Sequence, residues 1–310
     1  MVYLDEKRRK TDDKSHLSTK DTYIKKLKGI RMKEFKSFYK EVAGNEGGKC
    51  QYNTRLDTYG CGCSHDCSYC YAKSLLDFRG LWDAAEPSVA DIRKIERKIA
   101  KLPAGTIIRL GGMTDCFQPL EEKMRVTKAT IELLNRYGIG YLIVTKSDLI
   151  CEYMSILNKD LAHIQISTTW IPCEKAVSTE RRIKAIETLS DAGFDVAVRL
   201  SPYVPQFVDF ERLNSIRCKK IIVEFLRVNH WIKKWLPLDY SDYTVKQSGY
   251  QHLPLEKKIG YLSKITGFDE VSVCDDTDEG YAYFRECVNW NKEDCCNLRK
   301  GEKRNGIKNQ

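Results

Sequence analysis

The feature that most constrains the fold is an alternation of apolar runs and amphipathic segments between residues 53 and 228. The apolar runs predict six strands, at 53–59, 106–110, 141–145, 163–168, 195–200 and 220–226. Helical spacing of apolar residues predicts helices near 89–101, 121–137, 150–159, 178–192 and 209–216. Such alternation predicts an α/β fold with a parallel sheet. Six units are fewer than the eight of a closed TIM barrel.

Three cysteines lie close together directly after the first predicted strand. Cys63, Cys67 and Cys70 have the spacing C-x3-C-x2-C within residues 59–72, which read YGCGCSHDCSYCYA. One short loop therefore carries three thiolates that can bind one metal centre together. Three cysteines on a [4Fe-4S] cluster leave one iron open for a substrate or a cofactor. The alternative is a structural zinc site with Cys61 as fourth ligand, although zinc sites usually pair two ligand clips across a longer loop.

This loop, with Tyr69 directly before its last cysteine, resembles the signature loop of the radical SAM superfamily. Its local form is most similar to the spore photoproduct lyase-like branch. The resemblance implies a partial (β/α)6 barrel of the TIM type, with the cluster loop at the C-terminal mouth. It also implies that Cys63, Cys67 and Cys70 hold a [4Fe-4S] cluster and that S-adenosylmethionine is the cofactor. In such enzymes a 5′-deoxyadenosyl radical takes a hydrogen atom from the substrate.

Strand ends supply the residues that the resemblance assigns to the cofactor. Gly111 and Gly112 close the second strand, where paired glycines let the backbone approach a ligand closely, and they are assigned to the methionine amino group. Lys146 closes the third strand and resembles a lysine that pairs with the cofactor carboxylate. The remaining assigned contacts are the ribose contact Ser167, the fifth-strand residue Arg199 and the adenine neighbour Tyr69.

Radical control is predicted for three residues near the cluster loop. Tyr71 matches the position of a tyrosine that relays the radical in spore photoproduct lyase. In spore photoproduct lyase a cysteine donates a hydrogen atom to the product radical. This chain has no cysteine at the matching position, because alignment on Asp115 places Gly112 there. Cys116 is either a relocated donor or a small buried residue. The predicted catalytic residues are therefore Tyr71, Asp115 and Cys116, and the departure indicates chemistry other than photoproduct repair itself.

A second group of cysteines follows the predicted barrel. Thirteen cysteines in a chain without a signal-peptide pattern predict ligands, redox groups or buried residues rather than disulfides. Four of them have the spacing C-x12-C-x7-C-C and could bind a second iron–sulfur cluster or zinc, or could be packing residues. They are Cys274, Cys287, Cys295 and Cys296. The adjacent pair cannot easily ligate one centre together, so Cys50, Cys61 or Cys173 would have to complete the set.

Positive charge is concentrated at the ends of the chain. Residues 1–40 carry thirteen Lys/Arg against six Asp/Glu, and residues 299–310 carry five against one. Basic ends predict a polyanionic partner, with nucleic acid as the first candidate, and solvated tails are the alternative. We predict a basic N-terminal extension (1–49) with an amphipathic helix at 21–43, the partial barrel (50–228) and a cysteine-containing C-terminal extension (229–310) that covers the barrel.

The predicted function is radical chemistry on a nucleic acid, with repair or modification of a DNA base favoured. Trp231, Trp235 and Tyr250, with Lys233 and Lys234 among them, could stack on a flipped base or belong to the core. The alternatives are an enzyme for a peptide or small metabolite and a non-catalytic, zinc-stabilised nucleic-acid-binding protein. The chemistry requires an external one-electron reductant such as flavodoxin or ferredoxin. Since no run of 18 apolar residues occurs, we expect a cytoplasmic protein without a membrane partner.

Overall fold

The computed structural model describes residues 33–41, 48–172 and 175–298. The chain divides into two units, Met1–Glu34 and Phe35–Gln310, and every element described here belongs to the second. Most of the helix predicted at 21–43 lies outside the described residues, as does Cys173. No helix in the described part of the chain is long and apolar enough to cross a membrane.

An eight-stranded sheet with the order β1-β2-β5-β6-β7-β8-β9-β12 forms the framework. All neighbours in it are parallel except β1, which pairs with β2 in the antiparallel sense. The strands of this sheet are β1 (Phe38–Tyr39), β2 (Arg55–Leu56), β5 (Ile107–Leu110), β6 (Gly140–Thr145), β7 (Ala162–Ser167), β8 (Asp195–Tyr203), β9 (Lys220–Phe225) and β12 (Glu270–Val273). Two small antiparallel pairs are β3 (Tyr59–Gly60) with β4 (Ser88–Val89) and β10 (Val245–Gln247) with β11 (Tyr250–His252). The architecture is the predicted α/β partial barrel.

Each of the six predicted strands overlaps a strand of the sheet, although β2 has only two residues. The apolar runs of β6 and β7 are buried on both faces, as is typical of parallel sheets. Every residue of β7 is buried, and so are all but one of the residues of β6. A seventh parallel strand, β12, was missed. It has four residues and only two of them are buried, so its periodicity was too short to recognise.

The helices of the described residues lie between these strands, except the last, which follows β12. Their bounds are α1 (Tyr71–Leu76), α2 (Ile92–Ile99), α3 (Leu120–Met124), α4 (Val126–Tyr137), α5 (Thr179–Asp191), α6 (Phe210–Asn214), α7 (His230–Trp235), α8 (Leu255–Leu262) and α9 (Asp278–Cys287). Helix α2 shows why they form: Asp91 caps its first turn, and the isoleucines at 92, 95 and 99 bury one face.

Three predicted helices differ from the structure. The segment 121–137 is two helices, because the Glu121 carboxylate accepts hydrogen bonds from the backbone of Thr127 and Lys128 and the chain turns at Arg125 with a φ of 57°. The segment 150–159 contains only a 3-10 helix, Asp148–Tyr153, whose last residue bonds to Glu121. Residues 33–41 of the predicted N-terminal helix contain strand β1, because pairing with β2 at the sheet edge prevails over helical periodicity.

The C-terminal region is built into the sheet. Strand β12 pairs with β9, and hydrogen bonds fix the segment 294–298 to the barrel. Tyr52 Oη donates to Asp294 Oδ2 at 2.5 Å, and Lys220 Nζ donates to the carbonyl of Asn297 at 2.8 Å. The domain boundaries near 49 and 228 stay predictions.

Candidate active site

One cavity at the carboxyl ends of the parallel strands brings most of the predicted site residues together. Its lining includes Cys63, Cys67, Tyr69, Cys70, Tyr71, Gly111, Gly112, Asp115, Lys146, Ser167 and Arg199. Active sites of parallel α/β folds lie at this edge because several loops converge there. Cys116 is fully buried outside the lining of this cavity. Of the two interpretations of Cys116, its position favours the small packing residue.

Tight turns in the loop between β3 and α1 direct three thiols to the cavity. The backbone of Asp66 bonds to the Cys63 carbonyl at 3.1 Å, and that of Cys70 bonds to the Cys67 carbonyl at 3.1 Å. Cys70 also caps α1, since its Sγ accepts from the backbone N–H of Lys73. Burial raises the pKa of Cys63 well above its ordinary value and also raises that of Cys70. A bound metal centre would reverse this effect by deprotonating the coordinating thiols.

Two lysines hold the cluster loop through the carboxylate of Asp66. Asp66 accepts from Lys73 at 2.7 Å and from Lys175 at 2.8 Å. Cys61, the fourth ligand of the zinc alternative, lies outside the cavity lining. In the described residues, no three His, Cys, Asp or Glu side chains converge closely enough to hold a single metal ion. A multinuclear cluster instead takes its thiolates on separate irons.

Asp115 connects the loop after β5 with the cluster loop and with the end of β6. Its carboxylate accepts from Thr145 Oγ1 at 2.7 Å and from the backbone of Lys146 at 2.6 Å, and His65 Nε2 lies 3.2 Å away. Burial raises the pKa of Asp115, but His65 and these hydrogen bonds outweigh it and lower the pKa to about 2. Because protein donors occupy this carboxylate, the geometry favours a positioning role over the catalytic role that we predicted.

The Gly111–Thr114 turn is fixed by a carboxylate that sequence analysis missed. Asp57 Oδ1 accepts from the backbone N–H groups of Gly112, Met113 and Thr114 at 2.8, 2.8 and 3.2 Å. Burial raises the pKa of Asp57 to about 6, although these three bonds oppose the rise. Gly111 has a φ of 83°, and a Cβ there would lie 3.1 Å from two carbonyl oxygens. The predicted cofactor contact is therefore a preformed turn that accepts only glycine without strain.

Tyrosines and a lysine surround the entrance to the predicted cofactor site. Tyr71 Oη donates to the carbonyl of Gly112, so it links the cluster loop to the glycine turn. Lys146 Nζ lies 5.6 Å from the centre of the Tyr69 ring. The Tyr69 hydroxyl is buried without a hydrogen-bond partner among the described residues, which leaves a polar group for a ligand to satisfy. Ser167 is buried at the end of β7 in the same cavity.

Arginines and one glutamate form the deeper wall of the cavity. Arg199 donates to Gln165 at 2.8 Å and to Glu224 at 2.5 Å, and Ser201 also donates to Glu224. Burial raises the pKa of Glu224, but the charges of Arg199 and Arg227 outweigh it and lower the pKa to about 2. The predicted cofactor contact Arg199 is therefore part of a buried ion pair on the barrel wall.

Three of the four C-terminal cysteines line the same cavity, and the fourth does not. Cys274, Cys295 and Cys296 are in the lining, together with Cys50, whereas Cys287 is exposed at the end of α9. The grouping proposed from the spacing alone is therefore wrong for Cys287, because α9 carries it away from the barrel interior. A hydrogen bond shared with Cys295, together with the charge of Arg199, lowers the pKa of Cys296 to about 7 although burial opposes this.

Sequence analysis missed several cavity residues that no motif identifies. Arg109, Glu224 and Arg227 are single charged residues within or just after apolar strands. Charged residues in such runs are a usable signal, because charges are rarely buried without a partner. The same signal could have identified Asp57, because this charged residue directly follows β2. The sequence indicated Cys50 only as one of three cysteines that could complete the C-terminal cysteine group.

Comparison with known proteins identifies related sequences. The sequence model described as "Radical SAM superfamily" matches residues 58–217. An uncharacterised protein of Methanocaldococcus jannaschii is 25% identical over 164 residues, which cover 48% of this chain and 60% of that protein. An uncharacterised protein of Mycobacterium tuberculosis is 27% identical over 174 residues, which cover 48% and 49%. The chain thus spans about half the length of the curated relatives it matches.

Solved structures with the same fold include spore photoproduct lyases. A variant of that enzyme with bound AdoMet and dinucleoside spore photoproduct has a TM-score of 0.55 at 14% identity, covering 83% of this chain and 94% of that one. A second variant has a TM-score of 0.56 at 15% identity, with 80% of each chain covered. At such identities the likeness shows the fold alone.

Proposed function

The chain belongs to the radical SAM superfamily, and from this membership we propose that it is a radical enzyme whose substrate is a nucleic-acid base, with DNA favoured. The family implies a [4Fe-4S] cluster and S-adenosylmethionine. Because the chain belongs to this superfamily of enzymes, we set aside the predicted alternative of a non-catalytic, zinc-stabilised protein. The observation that carries the substrate proposal is an aromatic and basic surface beside the cluster loop.

The residues of the cavity fit the two cofactors. Cys63, Cys67 and Cys70 would hold the cluster, because they are the three thiols of one loop and all face the cavity. The glycine turn at 111–114 and Lys146 would hold the methionine part of S-adenosylmethionine, and the unpaired Tyr69 hydroxyl is available to the nucleoside. When bound, the cluster and S-adenosylmethionine supply a 5′-deoxyadenosyl radical that removes a hydrogen atom from substrate. Buried walls around the cavity exclude water from that radical.

The aromatic stack, defined as Phe78, Trp231 and Trp235, supports nucleic acid as the substrate. The rings of Phe78 and Trp231 lie 6.4 Å apart at 10°, and those of Trp231 and Trp235 lie 6.1 Å apart at 28°. Phe78 is 57% exposed. Stacked rings with an exposed end accept bases without regard to sequence.

Basic residues accompany the aromatic stack and connect it to the cluster loop. Lys73 Nζ lies 4.8 Å from the Trp235 ring and also bonds to Asp66 in the cluster loop. Lys234 lies 5.9 Å from the Trp231 ring, and Arg79 lies 5.1 Å from Phe78. Lysines and arginines beside stacked rings suit a single strand of nucleic acid, since phosphates bind the cations while bases contact the rings.

Binding of a fluorescent single-stranded oligonucleotide tests this proposal. Phe78→Ala and Trp231→Ala should each weaken binding about 5- to 150-fold, since loss of one stacking partner costs ~1–3 kcal/mol. Binding by the unaltered protein should also fall steeply as salt is raised, because phosphate contacts release counterions.

Trp290→Ala is the matched control, since Trp290 is 62% exposed but makes no contact with the aromatic stack. Its affinity for the oligonucleotide should equal that of the unaltered protein. Equal losses in all three variants, or binding that does not depend on salt, would reject the nucleic-acid proposal.

A second candidate substrate, a peptide or small metabolite, is favoured by one observation in the cavity. The Arg227 guanidinium lies 4.6 Å from the Tyr71 ring and 5.3 Å from the Tyr250 ring, and it pairs with Asp276 at 2.7 Å. Neighbouring positive and negative groups suit a small ligand that carries both charges. In that case oligonucleotide binding should be absent. Either substrate requires an external one-electron donor of the flavodoxin or ferredoxin class.

A further inference from the structure

Four thiols from three separate parts of the chain meet at the inner end of the cavity. Cys50 precedes β2, Cys274 follows β12, and Cys295 and Cys296 belong to the segment 294–298. Cys295 and Cys296 belong to one buried cluster with Tyr52 and Leu142, and Cys50 and Cys274 pack against that cluster. We name these four residues the inner thiol group.

The backbone around the inner thiol group is firmly held. Cys274 bonds through its N–H to the Val223 carbonyl at 2.8 Å. The Asp294 carboxylate accepts from the backbone of Cys296 at 2.9 Å and from Tyr52 at 2.5 Å. These contacts fix the thiols before any ligand binds, which lowers the entropic cost of assembling a site.

Two arginines, Arg109 and Arg199, line the same cavity as the inner thiol group. Their positive charge would offset the net negative charge of a thiolate-ligated cluster bound there.

We infer that the inner thiol group holds a second iron–sulfur cluster, on the wall of the same cavity that contains Cys63, Cys67 and Cys70. All four cysteines line open space in the cavity. Two adjacent cysteines cannot easily ligate one zinc ion together, whereas they can ligate two irons of one cluster. Because Cys295 and Cys296 are adjacent in the chain, they would ligate different irons. A cluster here would contact substrate in the cavity.

This inference does not depend on which substrate the enzyme uses, and metal analysis tests it directly. Iron, sulfide and zinc would be measured on anaerobically reconstituted full-length protein, together with EPR spectra of the reduced form. The unaltered protein should contain about eight irons if both clusters are of the four-iron type. Cys63→Ala/Cys67→Ala/Cys70→Ala should retain about half of that iron. Cys50→Ser/Cys274→Ser/Cys296→Ser should also retain half, with a different EPR signal.

Cys287→Ser is the control, because Cys287 is exposed on α9 outside the cavity, and it should retain all the iron. The melting temperature of each variant shows whether it is folded, so that iron lost through unfolding is distinguished from iron lost with a ligand. If a variant unfolds, the EPR spectrum of the unaltered protein decides, since two clusters give two signals. The inference is wrong if the folded Cys63/Cys67/Cys70 variant holds no iron, or if zinc takes the place of the second cluster. Neither result would affect oligonucleotide binding, so the two proposals fail separately.

Discussion

Single residues decide whether the cavity keeps its shape, and Gly111 is the clearest case. Its φ of 83° is unfavourable for any residue with a side chain, and a Cβ would crowd the carbonyls of Thr114 and Val144 at 3.1 Å. Gly249 has nearly the same φ, 82°, but no atom lies within 4 Å of its Cβ position. The two glycines therefore separate backbone strain from crowding.

We expect Gly111→Ala to lower the melting temperature more than Gly249→Ala does. Left-handed backbone costs both variants roughly 1–2 kcal/mol, and only Gly111→Ala adds steric crowding. S-adenosylmethionine affinity, measured by equilibrium dialysis, should fall in Gly111→Ala and stay unchanged in Gly249→Ala. Equal affinities in the two variants would mean that the turn does not contact the cofactor.

A buried histidine makes stability depend on pH. Burial, helped by the charge of Lys258, lowers the pKa of His252 from 6.5 to about 4. Between these values the unfolded chain binds a proton that the folded chain does not, so the free energy of unfolding falls as pH falls from about 6.5 to about 4. His252→Gln should reduce this decline. Urea unfolding at pH 7 and pH 5 measures the free energy of unfolding of the unaltered protein and of His252→Gln. If that free energy falls equally in the two proteins, His252 is not the group responsible.

At the scale of elements, the end of β2 fixes the turn that follows β5. Asp57 binds three backbone N–H groups of that turn with one oxygen, and β2 and β5 are neighbours in the sheet. The Asp57 carboxylate at the end of β2 therefore shapes the predicted cofactor site at the end of the neighbouring strand β5. This connection depends on strand order, which the sequence alone does not reveal.

We expect Asp57→Ala to lower the free energy of unfolding by about 3 kcal/mol or more, because buried donors without acceptors cost ~1–3 kcal/mol each. Asp57→Asn keeps an acceptor oxygen and should lose much less. Urea denaturation gives the stability, and S-adenosylmethionine binding should weaken in the same order. If the alanine and asparagine variants behave alike, the carboxylate does not organise the turn.

At the scale of the molecule, the C-terminal region completes the barrel. Strand β12 pairs with β9 along four residue pairs, and Asp276 forms an ion pair with Arg227 on the barrel at 2.7 Å. Removing this region would expose the apolar β9 edge and take the Asp276 carboxylate away from Arg227.

A chain truncated after residue 228 should therefore fail to fold cooperatively, whereas the unaltered chain should melt in one cooperative transition. Circular dichroism during heating distinguishes the two. Cooperative melting of the shorter chain would show that residues 50–228 fold as an independent barrel.

The sequence by itself determined the cluster loop, the six central strands and the strand-end residues Gly111, Gly112, Lys146 and Ser167. These features depend on local spacing and on apolar runs, which act over a few residues. Only the tertiary structure decided that Asp57 holds the glycine turn, that β12 joins the sheet, and that Cys50 rather than Cys287 accompanies Cys274, Cys295 and Cys296. Those relations join residues distant in the chain, and packing of the sheet, not local periodicity, brings them together.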